Sequence, residues 1–298
     1  MKYPPHLPVM VKEVLGILDP QEKGIYLDCT IGAGGHSKAI MEKTGGKVKI
    51  VGIDLDEEAL KVAGEELKEY ENQLILRKEN FKSLSKLLKK EKISCVNGIL
   101  YDLGVSSIQL NAPKRGFSFR YSAPLDMRMD REQELTAGSI VNRAKEKELK
   151  DIFLKLGEER WAERIAKFII EERKRQPLQT TKDLVEVVRK AIPSEIRKKR
   201  RIHFATRIFQ ALRIKVNEEL KNLNTTLENC PELLCPKGRI CVISYHSLED
   251  RIVKEKFKEK EREGKLNILT RKVIKPSLKE VKRNPRARSA KLRAAEKI

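Results

Sequence analysis

The stretch Leu27-Asp28-Cys29-Thr30-Ile31-Gly32-Ala33-Gly34-Gly35-His36-Ser37 decides how this chain is read. It leads from an apolar, strand-like run, Ile25 to Cys29, through a glycine cluster into a helical pattern. Glycines at a strand-to-helix turn tolerate positive φ and let the backbone approach a ligand, so the turn predicts a cofactor site on an α/β sheet. The dinucleotide fingerprint G-x-G-x-x-G fails here, because its last position falls on Ser37. Asp28, closing the strand ahead of the turn, would repel a phosphate and favour a cation. A zwitterionic amino-acid end and a cationic sulfonium suit that environment, which points to S-adenosylmethionine.

Working outward, Val48 to Ile53 reads as the second strand, followed by Asp54 about 20 residues beyond the glycines. That is the place of an acid accepting from ribose hydroxyls. Leu74 to Arg77 and Val96 to Tyr101 read as the third and fourth strands. The third leads to Asn80-Phe81, where Phe81 either covers an adenine face or opens the next helix as a core residue. The fourth leads to Asp102-Leu103-Gly104-Val105-Ser106-Ser107-Ile108-Gln109, where reacting groups would meet the donor methyl. Helical spacing of Ala59, Leu60, Ala63 and Leu67, and of Phe81, Leu84, Leu87 and Leu88, fills the gaps between strands. Alternation of this kind predicts a parallel, doubly wound sheet.

The alternation stops after Asn111. From there to Phe204 the pattern is helical, with amphipathic spacing over Lys147 to Leu156 and Trp161 to Lys174 and a capping-box start at Thr180 and Asp183. Ile208, Leu212, Val216, Leu220, Leu223 and Leu227 predict one long helix returning to a strand at Arg239 to Ser244. The expected organisation is a Rossmann-like α/β domain over 1–110 and 208–298, with an all-helical domain inserted at 111–207.

Composition sets the broad class. Against 43 acidic residues stand 64 Lys and Arg, a net charge of +21 over 298 residues. Such an excess attracts a polyanion through counterion release; a basic surface laced with ion pairs is the plainer reading. Five cysteines, an odd number, suit a reducing compartment rather than a disulfide framework. Cys29, Cys95 and Cys241 sit in apolar runs and read as core thiols, while Cys230 and Cys235 lack a second ligand pair for zinc. No metal is expected. Without an export signal or a membrane-length apolar run, the sequence predicts a soluble cytoplasmic protein.

A series of further motifs carries a resemblance. They are His6-Leu7-Pro8-Val9-Met10, the turn ending Gly34-Gly35-His36-Ser37, Asp102-Leu103-Gly104-Val105-Ser106-Ser107, Arg115-Gly116-Phe117-Ser118-Phe119 and Pro124-Leu125-Asp126-Met127-Arg128-Met129-Asp130. His203-Phe204-Ala205-Thr206-Arg207, Ser244-Tyr245-His246-Ser247-Leu248-Glu249-Asp250-Arg251 and Asn284-Pro285-Arg286-Ala287-Arg288-Ser289 continue it nearly to the end of the chain. In order and spacing these resemble the RsmH (MraW) family of 16S ribosomal RNA cytosine-N4 methyltransferases. Tyr245 stands where that pattern has Phe more often.

The resemblance implies a class I S-adenosylmethionine-dependent methyltransferase with an inserted helical domain, acting on a decoding-centre cytidine of the small ribosomal subunit. By the same resemblance Gly34, Gly35, His36, Asp54, Phe81, Asp102 and Gln109 take cofactor-binding positions. Many amino-methyltransferases place an acid or amide, two prolines and an aromatic after strand four; this chain keeps only Asp102. Asp102 is accordingly a candidate catalytic residue that the resemblance assigns to the donor. His246, the other catalytic candidate, either contacts substrate or caps a helix. Methyl transfer to the exocyclic amine needs alignment more than a strong base, so no general base of high pKa is expected.

Arg197-Lys198-Lys199-Arg200-Arg201 and the C-terminal Arg286, Arg288, Lys291 and Arg293 are candidate phosphate contacts, with Phe117, Phe119 and Tyr121 as stacking partners for an unpaired base. The target base is expected to be extruded into a pocket between the domains. Asp126 and Asp130 either line that pocket or cap a helix. Two other readings compete, an NAD-dependent oxidoreductase on the same sheet and a non-catalytic RNA-binding assembly protein. Monomer and homodimer are both open.

Overall fold

A computed structural model describes residues 7–298, so His6 of the first motif lies outside the described residues. Packing divides them into two compact units, one of residues up to Ile108 together with Leu220–Ile298, the other Gln109–Glu219.

In the first unit seven strands form one sheet: β1 (Ile25–Asp28), β2 (Lys49–Asp54), β3 (Leu74–Lys78), β4 (Val96–Asp102), β5 (Leu234–Ser244), β6 (Leu266–Ile268) and β7 (Lys291–Lys297). Their order is β3-β2-β1-β4-β5-β7-β6. The first five run parallel, and β7 pairs antiparallel with both β5 and β6. Isoleucine, valine and leucine dominate the parallel strands because helices cover both faces. Leu27, Val51, Ile53, Ile99 and Val242 bury into one apolar layer, and Tyr26, Ile50, Leu100, Cys241 and Ile243 into the other. The accompanying helices are α1 (Val11–Leu18), α2 (Gly35–Lys43), α3 (Glu57–Glu66), α4 (Leu84–Lys90) and the short α5 (Ser107–Asn111), which runs out of this unit.

The second unit is helical, with α6 (Ala137–Arg143), α7 (Glu146–Lys155), α8 (Ala162–Arg175), α9 (Thr181–Ala191), α10 (Ser194–Lys198) and α11 (Thr206–Asn217). The capping box at α9 forms as its sequence predicts: Asp183 N–H donates to the Thr180 hydroxyl at 3.2 Å and Thr180 N–H donates to the Asp183 carboxylate at 2.8 Å. A long loop, 115–133, folds on itself. Asp126 takes a fork of bonds from Arg128 Nε (2.9 Å) and Nη2 (2.8 Å), and the buried Asn217 amide holds Met127 O and Met129 N. Asp126 and Asp130 are therefore engaged in the loop's own turns, Asp130 accepting from Glu132 N–H.

Two expectations change. The single long helix over 208–227 is two, α11 and α12 (Glu219–Leu233), parted at Glu218, which takes a left-handed φ of 49° while Asn217 turns its amide to the 127–129 segment. Since α11 packs against α6 and α7, the helical unit extends to Glu219 and not to 207. The cysteines are not all thiols. Val96 pairs with Leu234 where β4 and β5 begin, which brings Cys95 and Cys235 to a Cα separation of 5.0 Å in a disulfide spanning 140 residues. Cys29, Cys230 and Cys241 stay free and buried.

The C-terminal basic cluster is also partly spent in the fold. Lys291 and Arg293 lie on β7, where their side chains meet Asp250 of α13 (Ser247–Arg262) at 3.2 and 2.7 Å. The last helix, α14 (Leu278–Arg283), anchors the N-terminal segment, its Glu280 accepting from Met10 N–H at 2.6 Å. No helix among the described residues is long and apolar enough to cross a membrane.

Candidate active site

Three carboxylates close three neighbouring strands. Asp28 ends β1, Asp54 ends β2 and Asp102 ends β4, and the sheet order sets these strands side by side. Strand order reverses between β1 and β4, where open α/β sheets bind ligands beyond the strands' carboxyl ends. Asp28 is buried; it accepts from Ser37 Oγ at 2.7 Å and from Thr30 N–H at 3.2 Å. Burial pushes its pKa up, and His36 and Ser37 pull against that. Asp54 is pushed up to about 6, by burial first, although Asp56 N–H (2.9 Å) and Gly32 N–H (3.1 Å) both donate to it. Asp102 is raised as well, by burial ahead of the opposing pull of His36 and Tyr245. Three acids held above their ordinary range by desolvation form a pocket of charge that a cation would relieve.

The glycine turn spans the gap between β1 and α2. Gly32 has φ 52° and points its N–H at Asp54. Gly34 has φ 83° at the N-cap of α2, and a Cβ there would lie 3.1 Å from Leu67. At Gly35 the demand is packing, since a Cβ would sit 3.0 Å from the Pro8 ring. The turn is thus built to bring Gly32 to Asp54 and to dock α2 against the N-terminal segment.

His36 is buried in the first turn of α2. Its Nε2 lies 2.8 Å from Val9 O, and a carbonyl only accepts, so Nε2 carries the hydrogen and Nδ1 faces Asp102 Oδ2 at 3.7 Å. Asp102 is held further by its own N–H, which donates to Thr30 Oγ1 at 2.7 Å, and by Tyr245, whose hydroxyl donates to Oδ1 at 2.7 Å.

Of the residues predicted from sequence, Asp54, His36 and Asp102 converge on these strand ends together with Asp28. Phe81 stands beyond β3, half buried against the core and edge-on to Tyr101 with ring centroids 5.7 Å apart. His246 caps α13: Glu249 N–H approaches its Nδ1 at 3.4 Å, and the Glu249 carboxylate receives His246 N–H at 3.2 Å. Gln109 is buried at the start of the helical unit. Sequence reading missed Thr30, Ser37 and the Tyr245 hydroxyl as partners of the acids. Ser37 lies one helical turn past Asp28's own loop, a spacing that could have shown it; the others join through strands distant in sequence. The acidic trio Glu228, Glu259 and Glu263 encloses the ammonium groups of Lys260 and Lys256.

In the helical unit the basic run sorts into two kinds. Arg200 forms a two-pronged bond to the fully buried Glu159, at 2.7 and 2.8 Å, and Arg197 donates to Ile192 O and lies over the Phe204 ring at 5.6 Å. The rings continue as a column: Phe204 against His203 (4.1 Å), His203 stacked on Phe119 (4.4 Å) and Phe119 edge-on to Phe209 (5.1 Å). Phe117 is buried. Lys198, Lys199 and Arg201 stay exposed, with Tyr121 open to solvent.

The whole chain from residue 4 to 298 matches the model of the MraW methylase family. The chain is 52% identical over 295 residues to ribosomal RNA small subunit methyltransferase H of Pseudothermotoga lettingae, covering 98% of each. The protein of the same name from Thermotoga neapolitana is 51% identical over 295 residues, covering 98% of this chain and 96% of that one. With this likeness running through both units, the chain belongs to the MraW methylase family.

Proposed function

We propose that the chain is an S-adenosylmethionine-dependent ribosomal RNA methyltransferase that modifies 16S RNA of the small subunit, at the exocyclic N4 of a decoding-centre cytidine. The observation that carries the cofactor is the row of strand-ending acids Asp28, Asp54 and Asp102 around a glycine turn, with desolvation raising all three. The donor set suits a cationic, hydroxyl-bearing group and disfavours the pyrophosphate of a dinucleotide. When bound, S-adenosylmethionine supplies an electrophilic methyl on a sulfonium. Asp54 would accept from the ribose hydroxyls, Asp28 and Asp102 would offset cationic charge, and Phe81 would cover the adenine face. Gly34, Gly35, His36 and Gln109 take their cofactor roles from the family pattern. His36, pinned by Val9 O, fixes the orientation of Asp102 from one side.

Substrate class rests on the relatives' shared name and on charge. Lys199 and Arg201 are the cations of the basic run left to meet phosphates, and Tyr121 is an exposed ring for a base. His246 serves as a cap whose backbone and ring are both committed to Glu249, so its part in catalysis is to hold the segment after β5. The proposed site needs no metal. The test is incorporation of labelled methyl from S-adenosylmethionine into small subunits lacking the modification, followed by nucleoside analysis. N4-methylcytidine is the expected product; RNA binding without methyl transfer would favour an assembly factor instead.

A further inference from the structure

Tyr245 follows the last residue of β5, and both ends of it are fixed. Its N–H donates to Glu249 Oε2 at 2.8 Å, which ties it to the first turn of α13, and its ring packs beside the apolar layer containing Ile243 and Leu292. Gly104, at φ 97°, leaves room for the ring, since even a Cβ there would lie 3.5 Å from Tyr245 Cδ2. The hydroxyl reaches Asp102 Oδ1 at 2.7 Å. The phenol keeps its proton and donates it to the carboxylate, because burial and the adjacent carboxylate push its own pKa well up.

The other carboxylate oxygen has a different neighbour. His36 presents Nδ1 to Asp102 Oδ2 at 3.7 Å with its Nε2 hydrogen spent on Val9 O. At that separation the imidazole makes no hydrogen bond to Oδ2, so Oδ1 is the oxygen held by the tyrosine donor and Oδ2 is the one left to take up a proton. The charged groups facing Asp102 are His36 from α2, Glu249 from α13 and Asp28 from β1; Asp102 raises the cost of negative charge at Asp28, and Glu249 raises that at Asp102. The Tyr245 hydroxyl is the neutral donor that offsets it.

We infer that Tyr245 is a positioning residue that keeps Asp102 oriented and ionised for the cationic part of the methyl donor. The inference rests on the methyl-donor reading above. It acts through Asp102, so its signature is a dependence on pH: without the hydroxyl, Asp102 holds its proton to higher pH and the donor binds less well until that proton is lost.

The experiment is Tyr245→Phe in the full chain, which keeps the ring and removes one oxygen. Calorimetric titration with S-adenosylmethionine from pH 5.5 to 8.5 should show affinity about tenfold lower than wild type near pH 7, with the gap narrowing at the alkaline end. Tyr245→Phe in an Asp102→Asn background should add no further loss. A loss of equal size at every pH, or one that persists in full beside Asp102→Asn, overturns the inference in favour of plain packing. Unchanged affinity overturns it outright. Failure of the wild-type chain to bind S-adenosylmethionine at all would instead bring down the methyl-donor reading, so the two failures are told apart by the wild-type titration.

Discussion

The strand ends of the first unit and the basic run of the second hold opposite charges on opposite terms. Asp28, Asp54 and Asp102 are buried or nearly so, and none has a Lys or Arg partner among the ion pairs of the described residues; serine, threonine and tyrosine hydroxyls, backbone N–H groups and one histidine serve them. In the run 197–201 Arg200, which turns inward as Arg197 does, has its charge matched by Glu159, and the burial that would raise the Glu159 pKa is outweighed by Arg200, which holds it low. Structural charge is neutralised within the protein. The charge proposed above to meet a ligand is either buried without a cationic partner, as at the acids, or left in water, as at Lys199 and Arg201.

The strongest way to break this contrast is Asp54→Ala. Two charge-assisted bonds to ribose hydroxyls at about 1.5 to 3 kcal/mol each predict a loss of at least a hundredfold in S-adenosylmethionine affinity by calorimetry. Retained affinity would strip Asp54 of its ligand role. Next comes Arg200→Met, which leaves Glu159 buried without its partner and should lower stability by about 3 to 5 kcal/mol in denaturant unfolding. A change under about 1 kcal/mol would mean that this cation is no more structural than its neighbours.

Titration sharpens the acid side. Asp54, at about 6 in the folded chain against an ordinary 3.8, favours the fold when protonated. Its contribution is full below about pH 4 and is lost as pH rises through about 6, so melts of the ligand-free protein should fall across that window. Cofactor affinity should run the other way and weaken below pH 6, where the carboxyl gains its proton. The mildest effect is expected from replacing Lys199 and Arg201 together by Gln. Affinity for single-stranded RNA should drop about tenfold and the log–log salt slope should shrink by roughly 1.4 to 1.8, with the melting temperature unmoved. An unchanged slope would place the RNA elsewhere.

The five parallel strands were legible because each is a compact apolar run, largely buried in the inner strands and half-buried at the edge strand β3, and Asp28, Asp54 and Asp102 were legible because each interrupts such a run. Strand β7 was not. Lys291-Leu292-Arg293-Ala294-Ala295-Glu296-Lys297 alternates charge with small apolar residues, and its charges are matched by partners far off in the chain, Arg239 to Glu296 at 2.7 Å and Arg293 to Asp250. From sequence alone it reads as one more basic patch. The break at Glu218 was hidden for a similar reason, since the apolar spacing runs through it unbroken and the cause lies in what Asn217 grips. Within the site, the acids could be named from position, but Tyr245 and Thr30 become partners of Asp102 only through strand order. The five charges of 197–201 look alike in sequence; a single buried glutamate 41 residues away makes Arg200 different from Lys199.

The bond between Cys95 and Cys235 encloses the whole of Gln109–Glu219 in a covalent ring. A protease that cuts any loop of the helical unit therefore opens the ring without releasing a fragment, and the nicked chain keeps its intact mass until a reductant separates the halves. The three other sulfurs are poor agents for that exchange, being buried thiols with pKa values raised by burial, Cys230 to about 12. Damage to the helical unit is thus kept on a tether whose release is set by the redox state of the surroundings.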